Sequence, residues 1–360
     1  MNALHRICRR RGFLVPVSRG LLACLGGGLA GCQPSLSRDE PASPETAALL
    51  MLEQQDLKVG LLPQVGGRIV LVEVGDGGNF LLSDPALWQP AAWTTPDAHS
   101  PWVAYNGHTT WLSPQSGWWT QQDQRPEKRG ATWPPDPYLI YGDYTVTRPN
   151  PHTAILTSPP SPISGVQLSK TVVLHSSREI EVTVEALGQR ARPVTWGLWS
   201  NTRFRGDTPF LVALAGEQAA QIRYGQPHAL RGEVVGERWF HWPRATAVAA
   251  PRANKAFLAT EVAWTAAFTP AGALVKTMAP VMPAAIHPEH APVEVYLALA
   301  PDPAEALLEL EFHVPAQTLA QGERIRLSER WLLFPDVPDH LDARLAWAEA
   351  QRARDEPAPQ

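Results

Sequence analysis

The chain has 360 residues, with 31 Lys and Arg against 35 Asp and Glu and a net charge of -4, so it lacks the basic footprint that nucleic acid requires. Its 36 Pro, 26 Gly and 14 Trp favour many short strands joined by turns over long helices. The length suits one large β domain or two small ones, and no fixed-period repeat marks a propeller or solenoid.

Residues 1–31 read as a lipoprotein signal peptide. Arg6, Arg9, Arg10 and Arg11 make a basic front. The apolar run over 20–30 is shorter than the roughly 18 residues that span a bilayer. Leu29-Ala30-Gly31-Cys32 matches the bacterial lipobox, in which small residues precede a cysteine whose thiol takes a diacylglycerol. Arg10-Arg11-Gly12-Phe13-Leu14 also fits a twin-arginine export motif, which leaves both the twin-arginine and the general secretory route open. Cys8, Cys24 and Cys32 are all the cysteines, so the processed chain has no thiol for a disulfide, a thiolate metal site or a cysteine nucleophile. Residues 32–52, beginning with the acylated Cys32 and QPSLSRDEPASPET, form a disordered tether. The expected location is the bacterial cell envelope, exported and lipid-anchored, on the periplasmic or outer-surface face.

An all-β domain is expected over 53–336. Strands are predicted at 57–62, 68–74 and 80–82, with Gly75-Asp76-Gly77-Gly78-Asn79 as a turn between the last two. Val166, Leu168, Val172 and Leu174 alternate with polar neighbours, although Lys170 breaks the inner row. Ile180, Val182 and Val184 alternate likewise, so the two segments make a hairpin. Further strands are expected at 194–200, 257–265, 274–278, 293–300, 307–314 and 324–334. Helical patterns do not alternate with them, so parallel βαβ units explain them poorly. The tail, 337–360, carries a short helix with Leu341, Leu345 and Ala348 on one face and Asp339 as its cap.

The stretch 105–136 interrupts this pattern. It interleaves Trp111, Trp118, Trp119 and Trp133 with Asn106, His108, Gln115 and Asp136, and Pro and Gly punctuate it. A polar loop does not normally bury so many indoles, because its backbone groups need partners. Either the domain's sheet covers the rings or a ligand does. A sugar suits such a surface: its C–H face stacks on indole while its hydroxyls pair with amides and carboxylates.

Several segments, taken in order, resemble the galactose-mutarotase-like superfamily, and within it an uncharacterised lipoprotein-bearing branch. These are LLPQVGGRIVLVEVGDGGNFLL, NGHTTWLSPQSGWW followed by TWPPD, PVTWGLWSNTRF, APVEVYLALAP, and ALLELEFHVPAQTLAQGERIRLSERWLLF. The resemblance implies a large antiparallel β-supersandwich whose concave sheet binds carbohydrate. It also implies a histidine acid and a glutamate base. PVTWGLWSNTRF, where that histidine is expected, holds Trp196, Trp199, Asn201 and Arg203 instead, and an indole cannot replace imidazole as a proton donor. Glu294 stands where the base is implied, with Glu309 and Glu311 as fallbacks.

The residues themselves leave alternatives. Glu294 lies in an apolar alternating strand and faces either solvent or a cleft. Glu309 and Glu311 share a face that would ordinarily be the wet side of a sheet. Arg203 offers bidentate bonds to vicinal hydroxyls or a uronate, or else a rim salt bridge. His287, Glu289 and His290 are interrupted by Pro288 and read as a surface turn, so no metal and no cofactor is expected. Trp239-Phe240-His241-Trp242 is a second aromatic cluster, either core or a second stacking surface. No Gly-x-Ser-x-Gly elbow, P-loop or dinucleotide fingerprint is present. The leading expectation is a tethered carbohydrate-binding protein whose ligand meets Asn106, His108, Trp111, Gln115, Trp118, Trp119, Trp133, Asp136 and Arg203. The alternatives are a carbohydrate-active enzyme, an aldose epimerase or uronate-acting, using Glu294 as base, and an envelope lipoprotein whose indoles dock a protein partner.

Overall fold

The computed structural model describes residues 49–215, 222–226, 230–243 and 248–355. The leader, the lipobox Cys32 and most of the tether lie outside these residues. Among the described residues no helix is long and apolar enough to cross a membrane.

Two large antiparallel sheets pack face to face. The first runs in the order Leu50–Gln54, Leu57–Leu62, Arg68–Val74, His108–Ser113, Val194–Arg205, Leu307–His313, Val293–Leu299, Arg252–Leu258 and Ile222–Tyr224. The second carries Val166–Ser176, Glu179–Gly188, Arg324–Phe334, Gly272–Met278 and Ala263–Thr269 at its centre. Alternation explains the layering: Val182, Val184, Leu327 and Trp331 are buried, while Glu185, Arg324 and Arg326 flank them on the wet face.

Local differences from the sequence expectations have simple causes. The tether ends earlier than residue 52, because Leu50–Gln54 pairs with Leu57–Leu62 as an edge strand and buries Leu52. Residues 80–82 form no strand, since the Asn79 side chain accepts the Val72 and Leu81 amides and donates to Val70 O, which turns the chain away. The expected strand 257–265 is two strands, Arg252–Leu258 and Ala263–Thr269, one in each sheet. The C-terminal helix, Leu341–Asp355, seats Leu345, Trp347 and Ala348 against Trp239, Trp264 and Phe268.

The interior between the sheets is unusually polar. Lys276 Nζ lies 2.7 Å from Thr202 Oγ1 and 3.4 Å from Glu329, and Glu329 accepts from Ser200 and from the Trp331 indole. Arg68 is fully buried and donates to Asn106 O and Ile140 O, and Lys170 donates to Gly67 O at 2.8 Å. Burial, and then the Arg68 charge, push the Lys170 ammonium down to about 7. Lys170 does break the apolar row, placing in the core a cation that donates to a backbone carbonyl and whose buried carboxylate neighbour, Glu329, offsets only part of the cost.

Candidate active site

Cross-strand register collects a set of ionisable side chains on the face of the first sheet turned away from the second. Asn201 lies opposite Glu311, Glu311 opposite Glu294, and Glu294 opposite Phe257. One row along, Arg203, Glu309, Tyr296 and Lys255 line up in the same way, and on the other side Trp199 faces His313. In the intervening positions Ser200 and Thr202 point inward to Glu329 and Lys276, which fixes the orientation of the outer row.

Lys255 organises the cluster. Its ammonium lies 2.5 Å from Glu294 Oε2 and 2.7 Å from Glu311 Oε2, and 4.2 Å above the Trp199 ring. Its side chain is 18% exposed, against 0% for both carboxylates, so it stands between them and the solvent. Half-buried Tyr296 and Phe257 flank this opening. Burial alone would lower the lysine, but Glu294 and Glu311 outweigh it and keep the ammonium charged.

The two carboxyls are driven apart. Burial pushes Glu311 up, and with Glu309 and Glu294 nearby the single Lys255 charge does not compensate, so it titrates at about 8. Burial would raise Glu294 too, yet His313, Lys255 and the His290 hydrogen bond hold it well below the usual carboxylate range. Glu294 Oε1 also accepts the Ala291 amide at 2.9 Å and faces His290 Nδ1 at 3.0 Å. Near neutrality Glu294 is therefore the fixed anion and Glu311 the group that carries an exchangeable proton, the division that separates acid from base in a paired site.

Two imidazoles complete the cluster. His313 is fully buried, and burial pushes it down to about 4, so it is neutral. Its Nε2 is 3.4 Å from Glu294 Oε2, and neither ring nitrogen has a hydrogen-bond partner among the described residues. His290 stacks on it with centroids 4.5 Å apart, and His290 Nε2 accepts the Gln115 amide at 3.3 Å. The donor atoms of His290, Glu294 and His313 lie within 4.8 Å of one another, a set that a divalent cation could use. Here the Lys255 ammonium is the cation seated on it, and both His290 nitrogens are engaged.

The residues predicted from 105–136 take other places. Trp118 and Trp119 are 2% and 0% exposed, and their indole N–H groups donate to Leu112 O and Pro134 O. They offer no face for stacking and no hot spot for a partner. The stretch can bury them because it is not a free loop: 108–113 is a strand, and Gln122 serves the carbonyls of Trp119 and Arg125 and the Arg125 amide. Trp111 is also buried, 4.8 Å from the Trp199 ring. Trp133 is half-buried and packs on half-buried Trp102 at 4.7 Å, so these two rings form the accessible aromatic rim.

His108 is fully buried on the inner face against Thr202 and cannot meet a ligand on the outer one. Asp136 is a structural cap that accepts from the Tyr138 and Ser164 amides and from Ser161 Oγ at 2.5 Å. The Gln115 side chain ties down Thr132 O, and only its backbone amide reaches the cluster. Asn106 is half-buried, and its Oδ1 accepts from Arg203 at 3.3 Å. Arg203 is 3% exposed and bound to Glu309 at 2.7 Å, which removes it as a free uronate clamp. Glu294, which the sequence left open between solvent and a cleft, is fully buried in the cluster. Glu309 and Glu311 are buried at the site rather than on a wet face. His290 is no surface turn: Glu289 accepts from Ser116 and draws the segment down onto the sheet. Lys255 and His313 were missed. The signal for His313 was Glu-x-Glu-x-His over 309–313, three polar side chains on one face of an otherwise apolar strand.

This double-layered sheet is the galactose-mutarotase-like fold. It matches a candidate aldose 1-epimerase from Klebsiella pneumoniae at 12% identity, covering 87% of this chain and 84% of that one with a TM-score of 0.53. A candidate aldose 1-epimerase from Escherichia coli K12 matches at 15% identity over 80% and 99%, with a TM-score of 0.50. A galactose mutarotase-like protein from Lactobacillus casei matches at 11% identity over 79% and 100%, also at 0.50. At these identities the likeness establishes the fold. The chain belongs to the family described as domain of unknown function DUF4380, whose model matches residues 48–334. No curated protein matches it in sequence.

Proposed function

We propose that the protein is a lipid-anchored, carbohydrate-active protein of the cell envelope whose Glu311 exchanges a proton with a bound aldose. The single observation that carries this reading is the Glu294–Lys255–Glu311 bridge, which leaves one buried carboxyl titrating at about 8. One strand over from 193–204, His313 faces Trp199, but with burial holding it down to about 4 it is unprotonated near neutrality and does not replace the family's histidine acid. The sugar enters beside Lys255, with half-buried Trp102, Trp133, Tyr296 and Phe257 as stacking surfaces and Asn106 at the rim. In this reading Glu294, the base implied by resemblance, holds Lys255, and the proton-exchanging role passes to Glu311. Anchoring rests on the lipobox ending at Cys32.

Anomeric equilibration of a panel of neutral aldoses, followed by polarimetry, tests the reading. The wild type should accelerate at least one sugar over buffer. Glu311→Gln should remove roughly two orders of magnitude or more of that acceleration, the usual share of a general acid–base group. A wild type indistinguishable from buffer across the panel, or a fully active Glu311→Gln, would sink it.

A further inference from the structure

The turn that carries His290 is tied down on two sides. Glu289, the residue before it, accepts the Ser116 amide at 3.1 Å and the Ser116 hydroxyl. From the edge strand Ile222–Tyr224, Arg223 donates to Glu289 O at 3.2 Å. The turn thus supplies the imidazole and also anchors the 115–117 segment that contacts it.

Three contacts then fix the ring. His313 stacks on it with centroids 4.5 Å apart, and Trp199 packs against it at 5.0 Å, which sets its plane. The Gln115 backbone amide can only donate, and it meets Nε2 at 3.3 Å, so Nε2 keeps its lone pair. The ring is therefore neutral and carries its proton on Nδ1, 3.0 Å from Glu294 Oε1.

We propose that His290 is a positioning residue for the proton exchange proposed above: as the Nδ1–H tautomer it locks Glu294, and through Glu294 it holds Lys255 beside Glu311. The inference rests on that reading of the site. Glu294 Oε1 receives two N–H donors, from His290 and from the Ala291 amide at 2.9 Å, so the carboxylate cannot rotate without losing both. Its other oxygen is thereby aimed at Lys255, 2.5 Å away, and the ammonium reaches on to Glu311 at 2.7 Å. With the proton on Nε2 instead, a lone pair on Nδ1 would face Oε1, and the carboxylate would turn away from it. Lys255 would lose its fixed place, and the geometry at Glu311 with it. His290 is buried and acts only through Glu294.

The test begins with isotopic labelling of the histidine ring nitrogens in the intact protein, read by proton–nitrogen NMR correlation without substrate. His290 should show a protonated Nδ1 and an unprotonated Nε2. His290→Asn places an amide N–H where Nδ1–H stood, whereas His290→Leu removes it. On an aldose that the wild type turns over, His290→Leu should lose roughly tenfold or more in kcat, with KM within about twofold. His290→Asn should recover most of that loss. Glu289→Ala keeps the ring but frees the 115–117 segment, and should spread the His290 proton over both nitrogens while lowering kcat. A wild type inactive on every aldose defeats the underlying proton-exchange reading. A wild-type Nε2–H tautomer, full kcat in His290→Leu, no recovery in His290→Asn, or an unchanged tautomer in Glu289→Ala defeats the positioning role alone.

Discussion

Replacing Glu311 by Gln should change how stability depends on pH. In the folded chain this carboxyl is pushed up to about 8, against an ordinary 4.5 for a glutamate in the unfolded chain. Between those values the native state holds a proton that the unfolded state has released, so the native state binds more protons and stability falls as pH rises. The three and a half units correspond to about 5 kcal/mol lost by pH 8, at roughly 1.4 kcal/mol per unit. Gln preserves the carbonyl that accepts from Asn201 but cannot ionise. Urea midpoints at one-unit intervals from pH 5 to 9 should therefore show the variant gaining on the wild type as pH rises to 8, then running parallel. His313 and Lys170 titrate in both proteins, so the difference reports Glu311 together with the Lys255 and Glu294 charges it interacts with. A difference that is flat, or that grows toward acid pH, would refute the charge assignment.

Lys255→Met should destabilise the fold by about 3–5 kcal/mol, because it leaves Glu294 and Glu311 buried without their shared cation; a thermal midpoint within a degree of wild type would contradict this. Lys170 has the opposite sign to Glu311. Its folded value is near 7 against 10.5, so the unfolded chain binds more protons between them and wild-type stability should rise with pH over that window. Lys170→Met should flatten the rise in denaturant titrations. Trp119→Ala should cost about 3–5 kcal/mol as a core truncation, without a selective effect on sugar-induced fluorescence at matched folded fraction. Cys32→Ser should move the protein from the membrane to the soluble fraction, and continued lipidation of that variant would overturn the anchor.

Most of the sheet framework was legible because it depends on alternation. The hairpin through 176–179 and the strand Arg324–Phe334 carry period-two patterns that permit one inner face. Lys170 was legible as a break in that pattern, but not as a buried cation near neutrality, since that depends on Gly67 and Arg68 from a distant strand. The tryptophans were conspicuous and misread: Trp118 and Trp119 are held by carbonyls at 112 and 134, which composition does not reveal. The site itself was half visible. Glu294 stood out as a charge in an apolar strand, while Glu311 read as a wet-face residue; their opposite titration follows from Lys255, which reaches them only through cross-strand register. Histidine was sought in or beside 193–204, whereas the histidine beside the cluster is His313, brought opposite Trp199 by register.

The most direct measurement is the pH–rate profile of anomeric exchange for wild type and Glu311→Gln, on whichever aldose the wild type turns over. The wild type should show an inflection near pH 8 that is absent from the variant. A profile flat from pH 6 to 9, or one whose inflection survives the substitution, would contradict Glu311 as the proton-exchanging group.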